Sequence, residues 1–187
     1  MKQFELYFHP NERYFPTDKH FQDQVIPRVY YSEQPELYSY NGEKYKAILY
    51  EIYYKTNGAI GFGKCLFPKS KLLGYHEIDL ERIIILYDVL SDLPAFVHFS
   101  AHRDEGKWLP YSECETNYEG LLKIYVAKYS HANYPHSGIW GRIYSLANDH
   151  CSSKGMKIVP DFIEAHKVYT VPNKEKRADF INRFFYR

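Results

Sequence analysis

The chain has 187 residues, of which 45% are hydrophobic and 25% charged, ordinary values for one globular domain. Lys+Arg number 24 and Asp+Glu 23, and this net charge of +1 argues against a chain that coats nucleic acid or an anionic membrane. No apolar run approaches the roughly 18 residues of a spanning helix, and Glu5 and His9 interrupt the apolar start, so neither a transmembrane segment nor a signal peptide is expected.

Apolar residues mostly alternate at period two or fall in short runs, which is the strand signature. In chain order, strands are expected at 4–8, 28–31, 45–55, 81–89, 95–103 and 121–129. The 20 Tyr and 12 Phe suit strands, since tyrosine has an apolar body and a polar tip. A stacking surface for sugars or bases is the sharper reading of the same composition. Asn41-Gly42 between two tyrosine-containing stretches signals a hairpin turn. Segments 57–63 and 135–141 read as loops. Near the C-terminus Asn173 is a plausible N-cap, and Phe180, Ile181, Phe184 and Phe185 then fall on one helical face. The expected architecture is mainly β: a single domain over 1–187, with a β-sandwich core and long loops over 1–172 and a terminal helix over 173–187. Segment 151–172 reads as an extra hairpin or a lid. Cys65, Cys114 and Cys151 form no CxxC pair, and their odd count gives no disulfide framework. Together with the absent signal, this makes the cytoplasm the expected compartment.

The densest chemistry lies in Gly74-Tyr75-His76-Glu77-Ile78-Asp79-Leu80-Glu81-Arg82, just ahead of an apolar strand. Asp79 and Glu81 are two apart and so share a strand face, with His76 close upstream. An imidazole and two carboxylates suit a divalent cation: Mn, Fe or Zn if the imidazole takes part, Mg or Ca if carboxylates and water dominate. The plain alternative is a solvated loop with Glu81 paired to a neighbouring arginine. In segment 95–103 the pleat places His98, Ser100 and His102 on one face and Val97, Phe99 and Ala101 on the apolar one. Of the two histidines His102, at the strand end, is the better site residue. A third segment, Ser130-His131-Ala132-Asn133-Tyr134-Pro135-His136, puts His131 at the end of a strand and His136 in an exposed loop. Ala147-Asn148-Asp149-His150 offers a fourth polar group for the site, and an Asx-type turn is the plainer and preferred reading. No Gly-x-Ser-x-Gly elbow and no glycine-rich phosphate loop occurs.

The order of these blocks resembles the vacuolar protein sorting-associated protein 62 family. Residues 7–16 resemble its "HPxExYxP" opening, and His76-Glu77-Ile78-Asp79-Leu80-Glu81 its "HxGDWE" element. Ser100-Ala101-His102 with Gly106-Lys107-Trp108 resembles "SxHxxGxW", residues 125–135 resemble "YVAxxSHAxYP", and Asn148-Asp149 ahead of Gly155 resembles "ND…GG". The His-x-x-Asp-x-Glu spacing is also similar to the "GHRHDWE" heptapeptide of the necrosis-inducing, ethylene-inducing peptide-like cytolysins. In those proteins the matching residues surround a divalent cation on a β-sandwich and help engage a sphingolipid headgroup. The resemblance thus implies His76, Asp79 and Glu81 as metal ligands, although Leu80 stands where the heptapeptide has Trp and Ile78 replaces its second His.

Three functions follow as expectations, the first preferred because three histidine-bearing segments converge on two carboxylates. In the first, a metal-dependent hydrolase acts on a phosphodiester or other ester, with His102 or His131 as general base or acid. Arg103, Lys128 or Arg142 would then steady an anionic group. In the second, the cation and loops grip a phosphorylated or glycosylated headgroup without turnover. Tyr134, Trp140 and Trp108 would supply the apolar platform. In the third, the histidines form a structural network in a scaffold protein. The expected partner is a small anionic or glycan-bearing ligand rather than a nucleic acid.

Overall fold

A computed structural model describes residues 3–10, 28–57, 76–101, 106–141 and 148–165, without the side chains of 28, 55–57 and 76–79. Its elements are β1 (Phe4–Phe8), β2 (Arg28–Glu33), β3 (Tyr38–Tyr40), β4 (Glu43–Asn57), β5 (His76–Asp88), β6 (Pro94–Phe99) and β7 (Lys107–Pro110). They continue with β8 (Leu122–Val126), β9 (Asn133–Tyr134), β10 (Gly138–Trp140), β11 (Asp149–Cys151), β12 (Lys157–Ile158) and β13 (Asp161–Glu164). A 3-10 turn covers Tyr111–Glu113.

The strands form a large sheet in the order β13-β2-β4-β5-β6-β7, with β3 also paired to β4. A second sheet runs β12-β1-β8-β9, and β10 and β11 make a separate ribbon. Most pairs are antiparallel, whereas β1 with β8 and β2 with β13 are parallel. The two larger sheets share one core. Phe4, Leu6, Phe8, Leu122, Ile124 and Val126 from the smaller sheet meet Ile48, Tyr50, Ile52, Ile83, Ile85, Val97 and Phe99 from the larger. These are alternate residues of each strand, as a face-to-face sandwich requires. The other face of the large sheet is apolar too: Ala47, Leu49, Ile84 and Leu86 are buried among Tyr38, Tyr40, Phe96 and Trp108.

The expected sandwich is therefore present, and β1 has the expected limits. Asn41 and Gly42 both adopt positive φ, +51° and +84°, and connect Tyr40 to Glu43 as a two-residue hairpin turn. Three expectations need revising. The segment 135–141 is not all loop, since Gly138–Trp140 pairs with Asp149–Cys151. Asp149 thus sits in a strand rather than an Asx turn. Segment 151–172 supplies edge strands to both sheets: β12 pairs with β1 and β13 with β2. Strands of two to four residues such as these are too short to show a hydrophobic period. The expected helix over 173–187 lies outside the described residues. Cys114 and Cys151 are free thiols. Among the described residues no helix is long and apolar enough to cross a membrane.

One close approach fixes how β12 docks. A Cβ at Gly155 would stand 1.7 Å from the Phe8 carbonyl oxygen, inside van der Waals contact. The absence of a side chain lets Phe8 N–H donate to Met156 O at 2.9 Å.

Candidate functional site

Strand β5 enters the sandwich with an acidic residue on its core face. Glu81 shares alternation with Ile83 and Ile85, and the pleat that buries those isoleucines buries its carboxylate as well. Ser100 Oγ donates to Glu81 Oε2 at 3.0 Å and accepts from Arg82 N–H at 2.7 Å. Ser100 N–H in turn donates to Arg82 O at 3.0 Å, so the end of β6 is clamped to β5. Arg82 points to the opposite face, where its Nε lies 3.6 Å from Glu51 Oε1, directly across the β4–β5 ladder. Glu81 is thus held by a serine, and the cross-strand arginine serves Glu51. Burial lowers the Arg82 pKa from its ordinary value, against the attraction of Glu51.

The β8–β9 connection closes over this end of the core. Ala127 N–H donates to Ala132 O at 2.9 Å, and His131 N–H to Ala127 O at 3.0 Å. Tyr129 and His131 take left-handed backbone conformations inside the turn, with φ of +69° and +59°. That geometry lays the fully buried His131 ring on Tyr54 of β4, centroids 3.9 Å apart. Asn133 then donates its backbone N–H to Ser100 O at 3.3 Å. Glu81, Ser100, His131 and Asn133 therefore come from three separated segments to one end of the interlayer space.

The reverse face of β9 carries aromatics. Tyr134 stacks on Trp140 of β10, centroids 4.6 Å apart and planes 17° from parallel. The exposed His136 lies on Trp140 in turn, at 4.3 Å. The stack is pinned below: the buried Asp149 accepts from Tyr134 OH and from Ser130 Oγ, each at 2.7 Å. Trp140 Nε1 donates to His136 O at 3.3 Å. Trp140 is half-buried and Ile139 beside it is 67% exposed, so the ribbon offers a small apolar ledge. Because β9 ends the strand order of its sheet, the polar end and the ledge lie on two faces of one edge strand.

Of the expected site residues, Glu81, His131, Tyr134 and Trp140 are brought to this region. His76 and Asp79 occupy β5 backbone positions opposite Asn57 and Tyr54, but their side chains lie outside the described residues. His102, Arg103 and Arg142 lie outside them as well. Among the described residues no group of three or more His, Cys, Asp and Glu side chains gathers as a metal site. Two expectations are corrected. Ser100 does not share a face with His98, because the pleat ends at Phe99 and the hydroxyl turns to Glu81. His98 remains on the outer face, edge-on to Trp108 at 5.2 Å, and burial lowers its pKa to about 4. Trp108 belongs with His98, Tyr38 and Tyr40, in a cluster separate from Trp140. Tyr54, Asn133 and the structural part of Asp149 are not among the residues expected from the sequence. Only the Ser-His-Ala-Asn order hinted at Asn133, and nothing local marked Tyr54 as the floor beneath His131.

No protein-family model matches the chain, so the resemblance to the vacuolar protein sorting-associated protein 62 family gains no support. No curated protein matches it by sequence. Solved structures do match in fold. One described as NLPPya in complex with glucosamine has a TM-score of 0.57 and 16% identity, covering 100% of this chain and 88% of that one. Another, described as a toxin fold for microbial attack and plant defense, has a TM-score of 0.55 and 16% identity over the same shares. NLPPya in complex with mannosamine has a TM-score of 0.56 at 15% identity, again covering 100% and 88%. At such identities the likeness establishes a shared β fold.

Proposed function

We propose that this chain is a non-catalytic binding module that seats a glycosylated headgroup at the β9 edge, assisted by a divalent cation. The carrying observation is the Tyr134–Trp140–His136 stack, pinned by Asp149 and placed at the strand edge that also borders Glu81. The exposed His136 ring, backed by the Trp140 indole, and the exposed Ile139 offer an apolar surface to the C–H face of a pyranose. Two solved structures of this fold hold amino sugars, which supports the same ligand class here.

The cation would be held by Glu81 together with His76 and Asp79, the set implied by the heptapeptide resemblance. Glu81 fits such a role: it is a buried carboxylate whose orientation is set by Ser100. A bound hard cation supplies open positions for sugar hydroxyl or phosphate oxygens. The hydrolase reading asks His131 or His102 to move a proton to or from a water. Full burial of His131 against Tyr54 favours holding over turnover.

The chain contains two tryptophans, which makes fluorescence decisive. In a Trp108→Phe background Trp140 is the sole indole reporter. Glucosamine and mannosamine should give saturable changes in its emission, larger with calcium than with EDTA. Trp140→Ala in the wild-type background should lose sugar binding measured by calorimetry. Absence of any saturable response, or unaltered binding by Trp140→Ala, defeats the proposal. Steady release of nitrophenol from bis(p-nitrophenyl) phosphate, abolished by Glu81→Gln, would restore the hydrolase.

A further inference from the structure

Asn133 carries a polarity that the surrounding fold does not answer. Its side chain is fully buried, and neither Oδ1 nor Nδ2 has a hydrogen-bond partner among the described residues. Its backbone, by contrast, is anchored to Ser100. Asn133 stands directly opposite Val126 in the β8–β9 ladder, and opposed residues share a face. Val126 belongs to the interlayer core, so the Asn133 amide enters the space between the sheets where β9 packs on β5. Ser100 bridges the two: its carbonyl accepts from Asn133 and its hydroxyl donates to Glu81.

A buried amide without partners is destabilising, and leucine has the same branched side-chain skeleton without that cost. Retaining the amide beside a buried carboxylate makes sense if its oxygen has a ligand. Hard cations combine carboxylates with neutral amide or carbonyl oxygens, calcium most readily. We infer that Asn133 is a cation ligand, its Oδ1 supplying a neutral oxygen to the ion that Glu81 helps hold. The inference rests on the cation in the proposed function and adds to it a residue outside the His-x-x-Asp-x-Glu set.

Thermal unfolding of the untagged chain tests it. In EDTA, Asn133→Leu should melt at or above wild type, because the unpaired amide is gone. Calcium at about a hundredfold excess over its Kd should raise the wild-type Tm by roughly 5–10 °C. Asn133→Leu should lose that rise, with calcium affinity by calorimetry falling at least about tenfold. Asn133→Asp, a near-isostere, should melt below wild type in EDTA and show a larger calcium-induced rise, since the cation offsets its repulsion with Glu81. An Asn133→Leu protein that keeps the wild-type calcium response overturns the assignment while leaving the cation in place. Should Asn133→Leu not fold, an Asn133→Asp rise no larger than wild type overturns it equally. A wild-type chain indifferent to calcium, magnesium, manganese and zinc removes both this assignment and the cation of the proposed function.

Discussion

His131 lies flat on Tyr54, with ring centroids 3.9 Å apart and planes 5° from parallel. The contact is bought by an unfavourable backbone, since His131 has φ +59°. Two substitutions separate these effects. His131→Ala removes the stacked ring and keeps the conformational penalty, so a loss of about 3 kcal/mol is expected. His131→Gly removes the ring but relieves the backbone by about 1 kcal/mol. The glycine variant, though smaller, should therefore melt above the alanine variant. The opposite order in thermal or urea unfolding would show that the turn is unstrained.

His98 predicts an acid-side loss of stability. Burial lowers its pKa from 6.5 to about 4, so the folded chain holds the imidazole neutral. Between those values the unfolded chain binds the proton and the folded one does not, and stability falls as pH falls. The full shift corresponds to about 3 kcal/mol, complete near pH 4. Gly106 leaves no slack, since a Cβ there would stand 2.3 Å from His98 Cε1. His98→Gln, no larger than histidine and without a titrating group, should flatten the stability profile between pH 6.5 and pH 4 in urea titrations. A slope unchanged by that substitution would place the acid sensitivity elsewhere.

Much of the frame was legible because the central strands bury one face continuously. Ile83-Ile84-Ile85-Leu86 and 45–55 carry their own signal, and Asn41-Gly42 announces its turn. The edge strands β7, β12 and β13 did not, because two to four residues give no period and their pairing depends on distant partners. At the site, Glu81 and His131 were readable as polar residues at strand ends. That Glu81 would point into the core did not follow, because Ile83-Ile84-Ile85-Leu86 is apolar on both faces and marks neither as the interlayer one. That Ser100 would leave the face of His98 did not, because it depends on where the β6 pleat ends. Asp149 looked like a turn residue until Tyr134 and Ser130 were seen to converge on it.

Gly155 should tolerate no side chain. A Cβ would meet the Phe8 carbonyl oxygen at 1.7 Å and the His9 carbonyl carbon at 2.8 Å, both backbone atoms that cannot rotate away. Gly155→Ala must therefore push β12 off β1 and break the Phe8–Met156 hydrogen bond. A loss of at least about 2 kcal/mol is expected, with faster amide exchange at Phe8. Wild-type exchange at Phe8 in a stable Gly155→Ala protein would contradict the close approach.

Asp149 separates the stability of the ledge from its use. Both carboxylate oxygens are engaged, Oδ1 by Ser130 and Oδ2 by Tyr134, in a residue only 4% exposed. Asp149→Asn keeps the shape but turns one acceptor into a donor, facing a hydroxyl with its NH2. Removing charge assistance from two short hydrogen bonds should cost about 2 kcal/mol. Tyr134→Phe keeps the ring under Trp140 and loses its hydrogen bond to Asp149, for about 1 kcal/mol. If Trp140 is a sugar platform, Tyr134→Phe should retain amino-sugar affinity because the stack survives. Tyr134→Ala should lose about tenfold or more, because Trp140 then has no floor to lie on. Equal affinity in Tyr134→Phe and Tyr134→Ala, measured by calorimetry on folded proteins, would show that the orientation of Trp140 does not matter for binding. The ledge would then be a packing feature of the β10–β11 ribbon.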